Sequence, residues 1–163
     1  MNYLKLKDRI AKLAKEIDYP CKKTDHLVYS MKLSTHPGHV FFHSGVEAVG
    51  RTLLEAINTH YLFTRGYCTD KEIQKAMKTY LKDDPYGTYS REHELWKYVY
   101  NDDEFADEDK EGKLHPENSD AVLVERLIGA MYYDSDWNTV KNFVITTLGI
   151  RKMKKTGSID STN

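Results

Sequence analysis

The sequence has little cysteine, no long apolar run and no excess of charge of either sign. Its two cysteines, Cys21 and Cys68, are too few and too far apart for a disulfide framework or a zinc ribbon. We therefore expect a reducing compartment. No stretch approaches the roughly 20 apolar residues that a membrane-spanning helix needs, and the start of the chain lacks the apolar region of a secretion signal. These absences predict neither secretion nor a membrane partner.

The balance of charge excludes a second class of protein. Lys and Arg together number 24 and Asp and Glu number 25, so the formal net charge is -1. A protein that binds nucleic acid through bulk positive charge needs an excess of cations, which this chain lacks. Hydrophobic residues make up 40% of the 163 residues, which is enough for the packed core of one domain.

Apolar residues recur at helical spacing along most of the chain. The pattern predicts helices over Tyr3–Ile17, Val46–Phe63, Thr69 or Asp70 to Tyr80, Ser90–Tyr100, Ala121–Tyr133 and Trp137–Leu148. No segment has the alternating pattern of a strand, so we predict an all-α fold. We divide the chain into an amphipathic N-terminal helix at 1–19, a helical domain at 20–150 and a basic, flexible tail at 151–163.

Three charged segments have uses outside the core. The first helix is rich in lysine and is compatible with a mitochondrial import signal, although Asp8, Glu16 and Asp18 are unusual in such signals. The segment 101–117 is strongly acidic and is predicted to be a solvated loop, with a partner-docking or cation-binding loop as the alternative. The tail carries a basic cluster that would contact RNA: Arg151, Lys152, Lys154 and Lys155.

Local motifs do not predict an enzyme. The chain has no Gly-rich phosphate loop, no nucleophile elbow and no pattern of a catalytic cysteine. His36, His39 and His43 are spaced as H-x-x-H-x-x-x-H, but Pro37 and Gly38 are expected to interrupt any helix that would align the imidazoles. We therefore expect turn and capping roles for these histidines, and we predict no metal and no cofactor.

Two segments, taken together, resemble the ribonuclease III family. His43–Glu55 reads H-S-G-V-E-A-V-G-R-T-L-L-E and is similar to the family's signature helix, N-E-R-L-E-F-L-G-D-S-V-L-E. Glu125–Asp134 reads E-R-L-I-G-A-M-Y-Y-D and is similar to the family's E-A-L-I-G-A-I-Y-L-D. Tyr61–Phe63 and Leu27–Thr35 also fit the pattern. The resemblance covers roughly 20–150 and implies an RNase III-like endonuclease domain.

The resemblance implies a site that has lost half of its metal ligands. The family cleaves double-stranded RNA with two metal ions held by four carboxylates, because two hard cations stabilise the attacking and the leaving oxygens. The family's first three acids fall on Ser44, Glu47 and Arg51. In the second motif Val122 stands where the family has Asp, whereas Glu125 is kept. Metal-dependent cleavage is therefore not expected.

A cation stands in the degenerate site. Glu47 and Arg51 lie four residues apart and hence on one helix face, where they would pair. Our hypothesis is that the guanidinium takes the place of the metals and neutralises Glu47 and Glu125. The alternative is an ordinary solvated pair. Asp120 would point to a different face of its helix and does not simply substitute for Val122. A divergent nuclease would need Glu47 and Glu125 with Asp120 or Glu55.

Inactive members of the family suggest what such a domain does. The resemblance implies a noncatalytic structural protein of the mitochondrial large ribosomal subunit, which contacts ribosomal RNA and pairs with another RNase III-like chain or with ribosomal proteins. Ala48 stands where the family has the aromatic residue that enters its dimer partner, which favours a heterodimer. One alternative is a noncatalytic partner in a mitochondrial RNA-processing or editing complex, and another is a free adaptor that binds through its tail.

Overall fold

A computed structural model describes residues 3–33, 37–101 and 120–153 and confirms the all-α fold. Its α-helices are α1 (Tyr3–Glu16), α2 (Thr24–Ser30), α3 (Pro37–Thr64), α4 (Asp70–Lys82), α5 (Pro85–Glu92), α6 (Asp120–Asp134) and α7 (Trp137–Thr147). Short 3-10 turns cover Leu95–Tyr98 and Ile150–Lys152. The described residues also include a parallel pair of two-residue strands, β1 (Lys32–Leu33) and β2 (Tyr100–Asn101).

The apolar face of α1 belongs to the main core. Ile10 and Leu13 of α1 are fully buried, in one cluster with residues of α2, α3, α6 and α7. A smaller cluster joins the end of α3 to α4 and to the last 3-10 turn, where Ile150 is fully buried. The amphipathic pattern that is compatible with an import signal therefore also has a packing role, since this face covers the centre of the protein.

The longest helix begins earlier than the sequence predicted. We expected Pro37 and Gly38 to interrupt any helix, whereas α3 starts at Pro37. Proline is well suited to the first turn of a helix, because its missing N–H would have no partner there and its φ angle is already helical. The helix ends where predicted: the chain leaves it at Thr64, and Gly66 adopts φ +87, in the left-handed region.

The region between α4 and β2 also differs from the prediction. We expected a turn at Asp83–Gly87 and a helix over Ser90–Tyr100. Instead, α5 begins at Pro85, and Asp84 caps it by accepting a hydrogen bond from Gly87 N at 3.1 Å. Glu94, with φ 47, separates α5 from the 3-10 turn that follows. The cap on α4 is confirmed, since Thr69 and Glu72 form a reciprocal capping box.

Two glycines bring α3 and α6 into very close contact. A Cβ added at Gly50 would lie 1.7 Å from the carbonyl oxygen of Glu125, and one at Gly129 would lie 2.2 Å from that of Val46. Each helix therefore presents a glycine to the backbone of the other, because there is no room for a side chain. This crossing fixes the distance between the charged residues that the two helices carry.

Candidate functional site

The crossing of α3 and α6 brings the carboxylates of Glu47 and Glu125 to one guanidinium group. Arg51 on α3 donates to Glu125 Oε2 from Nε at 3.1 Å and from Nη2 at 3.0 Å. The same Nη2 donates to Glu47 Oε1 at 2.8 Å. The predicted pairing of Glu47 with Arg51 is thus confirmed, and Glu125 joins it from 74 residues along the chain.

A second guanidinium completes the cluster. Arg126 on α6 donates to Glu47 Oε2 from both Nε and Nη2, each at 3.3 Å. Each oxygen of Glu47 therefore faces a different arginine, one on its own helix and one on α6. We call Glu47, Arg51, Glu125 and Arg126 the arginine cluster. Its two carboxylates and two guanidinium groups balance in charge.

The arginine cluster lies at the surface but is largely shielded. The side chains of Glu47, Glu125 and Arg126 are 20%, 14% and 16% exposed, whereas that of Arg51 is 58% exposed. The hydrogen bonds to Glu125, followed by the charge of that carboxylate, raise the pKa of Arg51 further above its already high value. Arg51 therefore stays charged, and a hard cation would have to displace it to reach the two carboxylates.

The other predicted site positions add no ligand. Val122 lies on α6 one turn before Glu125, and its side chain is half-buried and apolar. Ser44 lies on α3 one turn before Glu47, but its side chain is outside the described part of the chain.

Asp120 is bound elsewhere. It accepts a hydrogen bond from Arg91 Nη1 on α5 at 3.1 Å, and Arg91 Nη2 also pairs with Asp84 at 2.9 Å. The sequence prediction that Asp120 does not simply replace the missing acid agrees with this contact, since its partner lies on a different helix from Arg51. Glu55, the other candidate, is exposed on α3. Asp120 and Glu125 on α6 thus each pair with an arginine from a different helix: Asp120 with Arg91 of α5, and Glu125 with Arg51 of α3.

Sequence reasoning missed two features: Arg126 of the arginine cluster and a polar contact between α3 and α5. Arg126 was available as a signal, because it stands where the family pattern has Ala, directly after the retained Glu. The second is a buried polar pair, in which Asn58 on α3 donates from Nδ2 to the Tyr86 hydroxyl at 2.8 Å. Burial raises the pKa of Tyr86 to about 12, so the hydroxyl stays protonated. Nothing in the local pattern around either residue predicted this contact.

The predicted RNA-contacting residues are only partly described. Arg151 and Lys152 lie exposed on the 3-10 turn that follows Gly149, next to the fully buried Ile150. Lys154 and Lys155 lie outside the described residues, as do 102–117 of the acidic segment and His36. His39 and His43 lie on α3, but their side chains are likewise outside the description.

Searches for metal groups and membrane spans cover the same described ranges. Among these residues, no three His, Cys, Asp or Glu side chains are placed together to hold a metal ion. No helix within 3–33, 37–101 or 120–153 has the length and apolar character to cross a bilayer.

No protein-family model matches the chain, and no curated protein matches it.

Proposed function

We propose that this chain is a noncatalytic RNase III-like domain in which an arginine replaces the metal ions. The observation that carries the proposal is the position of Arg51, whose guanidinium bonds both Glu47 and Glu125 across the crossing of α3 and α6. In a two-metal nuclease the corresponding space holds divalent cations that stabilise the charge on the reacting phosphate. A guanidinium there stabilises the two carboxylates without a metal.

The role proposed for the domain is structural. It serves in a ribonucleoprotein, foremost the mitochondrial large ribosomal subunit, where it pairs with another RNase III-like chain and contacts ribosomal RNA. The basic cluster that starts at Arg151 and Lys152 would supply the RNA contact, and the exposure of both side chains supports this. The compartment and the particle rest on the resemblance described above.

Restoring the acids tests the metal hypothesis. The triple variant Ser44→Glu, Arg51→Asp, Val122→Asp should bind Mn²⁺ in a calorimetric titration, whereas the unaltered chain should not. The matched control is the double variant Ser44→Glu, Val122→Asp, which gains two acids but keeps the guanidinium. It should bind Mn²⁺ much more weakly than the triple variant, because Arg51 still occupies both retained carboxylates. Binding of Mg²⁺ or Mn²⁺ by the unaltered chain would overturn the hypothesis.

A cleavage assay tests the absence of activity. Labelled double-stranded RNA incubated with the purified chain in Mg²⁺ or in Mn²⁺ should stay intact. Cleavage that disappears in the Glu47→Gln and Glu125→Gln variants would instead establish a divergent nuclease. A variant with Glu92→Gln serves as the control, because Glu92 is an exposed acid on α5 that the nuclease alternative does not use.

Sedimentation tests the structural role. The tagged chain, expressed in its native cell, should co-migrate in a gradient with the large ribosomal subunit and with ribosomal RNA. A peak at the size of a monomer or dimer would contradict the proposal. A heavy peak without ribosomal RNA would point to an RNA-processing complex.

A further inference from the structure

Aromatic side chains gather on the surface where α2 lies beside α6. Tyr29, Tyr132 and Tyr133 remain 45%, 40% and 55% exposed. The rings of His26 and Tyr133 stack, with centroids 6.3 Å apart and planes at 29°, and Tyr132 meets Tyr133 edge-on at 6.1 Å. His26 and Tyr29 are three residues apart and therefore share one face of α2. We call these four residues the tyrosine patch.

Two lysines are fixed at the edge of the tyrosine patch. Lys22 and Lys23 are exposed, and their backbone N–H groups donate to the carboxylate of Asp134 at 2.9 and 2.5 Å. Asp134 directly follows Tyr133 on α6. The two lysines, which directly precede α2, therefore lie beside the exposed rings. The backbone of both lysines is held by these hydrogen bonds, while both residues remain exposed.

The acids around the tyrosine patch already have partners. Asp134 is buried and accepts hydrogen bonds from the Lys22 and Lys23 backbone and from the Tyr19 hydroxyl. Asp25 forms an ion pair with Lys7 at 2.8 Å, and Asp136 caps α7 through Thr139 N at 2.9 Å. The surface therefore offers aromatic faces together with positive charge, although the chain as a whole has a net charge of -1.

We propose that the tyrosine patch binds unpaired nucleotides of RNA, with bases stacked on Tyr133 and its neighbours and phosphates at Lys22 and Lys23. Exposed aromatic rings beside cations are the elements that bind single strands without sequence readout. Bases within a duplex are already stacked, so the patch should discriminate against double-stranded RNA. This inference rests on the proposed function only for its choice of RNA as the ligand.

The size of the tyrosine patch also favours nucleotides over a protein partner. Three tyrosines about half exposed offer roughly 300 Å² of aromatic surface, since one such ring buries about 150–250 Å² when fully covered. A stable protein interface buries about 800 Å² on each partner. The patch is thus too small for such an interface by itself, whereas one or two bases would cover it.

Fluorescence anisotropy with a labelled 12-nucleotide oligo(U) RNA tests the proposal. Tyr133→Ala should weaken binding about 5- to 150-fold, because stacking on one aromatic ring contributes about 1–3 kcal/mol per base. Tyr133→Phe keeps the aromatic face and should bind nearly as well as the unaltered chain. Phe63→Ala is the matched control, since Phe63 is 60% exposed at the far end of α3 and should not matter.

The lysines have a separate readout. The double variant Lys22→Ala, Lys23→Ala should reduce the slope of log affinity against log salt by about 1.4, because each phosphate contact to a single strand contributes about 0.7. Lys71→Ala with Lys75→Ala, two exposed lysines on α4, should leave that slope unchanged. Circular dichroism would verify that every variant keeps its helices.

Three results would overturn the inference. The first is that the unaltered chain shows no measurable binding of oligo(U), and the second is that Tyr133→Ala does not change that binding. The third is that Tyr133→Ala weakens binding of a 12-base-pair duplex as much as it weakens binding of oligo(U). Loss of the Tyr133→Ala variant from a large particle with unchanged oligo(U) binding would also overturn it and assign the patch to a protein contact. Failure of the ribosomal role alone would appear as patch-dependent binding of oligo(U) by a chain that sediments as a monomer or dimer.

Discussion

Two acids of the second motif, Glu125 and Asp134, are stabilised by opposite means. Glu125 accepts hydrogen bonds from the end of a long side chain, the guanidinium of Arg51, at the surface. Asp134 is 7% exposed and accepts from the backbone N–H groups of Lys22 and Lys23 and from the Tyr19 hydroxyl at 2.8 Å. The first acid is thus held by a replaceable partner and the second by the chain itself.

The difference separates the arginine cluster from the fold that carries it. The contacts of Asp134 tie the segment between α1 and α2 to the end of α6, so the loss of this acid would loosen three elements. Glu125 takes part in charge pairs that compensate one another at the surface, where ion pairs contribute little to stability. We therefore expect changes near Asp134 to lower the stability of the fold, and changes at the arginine cluster to alter whether the two carboxylates can bind a metal ion.

The largest loss of stability is expected from a substitution that separates α3 from α6 beside Glu125. Gly50→Ala places a Cβ 1.7 Å from the carbonyl oxygen of Glu125, and backbone atoms do not move aside as a flexible side chain would. We expect the free energy of unfolding to fall by about 3 kcal/mol or more, because overpacking forces the helices apart. Urea denaturation followed by circular dichroism measures this change.

Gly45→Ala is the matched control for that experiment. Gly45 lies on the same helix, and among the described residues no atom beyond its chain neighbours and the nearby helix backbone is within 4 Å of an added Cβ. Alanine there should leave the protein as stable or raise the free energy of unfolding by about 0.5–1 kcal/mol, since glycine is the poorer helix former. Equal losses in the two variants would contradict the close crossing.

Removing the carboxylate of Asp134, at the C-terminal end of α6, should cause the next largest loss of stability. Asp134→Ala leaves the backbone N–H groups of Lys22 and Lys23 without their acceptor, while the Tyr19 hydroxyl keeps the Met131 carbonyl oxygen at 3.2 Å. The free energy of unfolding should fall by about 2 kcal/mol, the penalty for buried donors that lose their partner. Asp136→Ala, which removes only the exposed cap of α7, is expected to have a smaller effect in the same denaturation experiment.

The pH dependence of stability gives a second test of the contacts of Asp134. Burial by itself raises the pKa of Asp134, but hydrogen bonds from Lys22 N, the Tyr19 hydroxyl and Lys23 N outweigh it, so the pKa lies below its ordinary value. A depressed pKa stabilises the fold above the unfolded value of about 3.9, and this contribution is lost as the pH falls through the folded pKa. The stability difference between the unaltered chain and Asp134→Asn should therefore shrink below about pH 4. A constant difference from pH 6 to pH 2.5 would contradict the assignment.

Features that depend on local sequence were predicted well. The cap of α4 was predicted at Thr69 or Asp70, and Thr69 occupies it. The pairing of Glu47 with Arg51 was predicted because residues four apart share one helix face. The start of α3 was predicted wrongly, because Pro37 was interpreted as an interruption although proline also begins helices.

Contacts between distant residues could not be predicted in this way. Arg126 reaches Glu47 across 79 positions, and Tyr19 reaches Asp134 across 115. Both contacts depend on how the helices pack, which for α3 and α6 is set by the close contact at Gly50 and Gly129. The segment that ends at Asp134 was compared with a family pattern, but the buried position of Asp134 was not foreseen.

The smallest effect on stability should come from the residue that carries the functional proposal. Arg51→Ala removes the guanidinium from between Glu47 and Glu125, yet Glu47 keeps Arg126, and water can reach Glu125 through the space that the exposed guanidinium leaves. The midpoint of urea denaturation should therefore stay close to that of the unaltered chain. Arg51→Lys is the matched control, because it keeps the charge but not the two-pronged geometry. A large loss of stability in Arg51→Ala would mean that the arginine cluster supports the fold, and the comparison with Asp134 would fail.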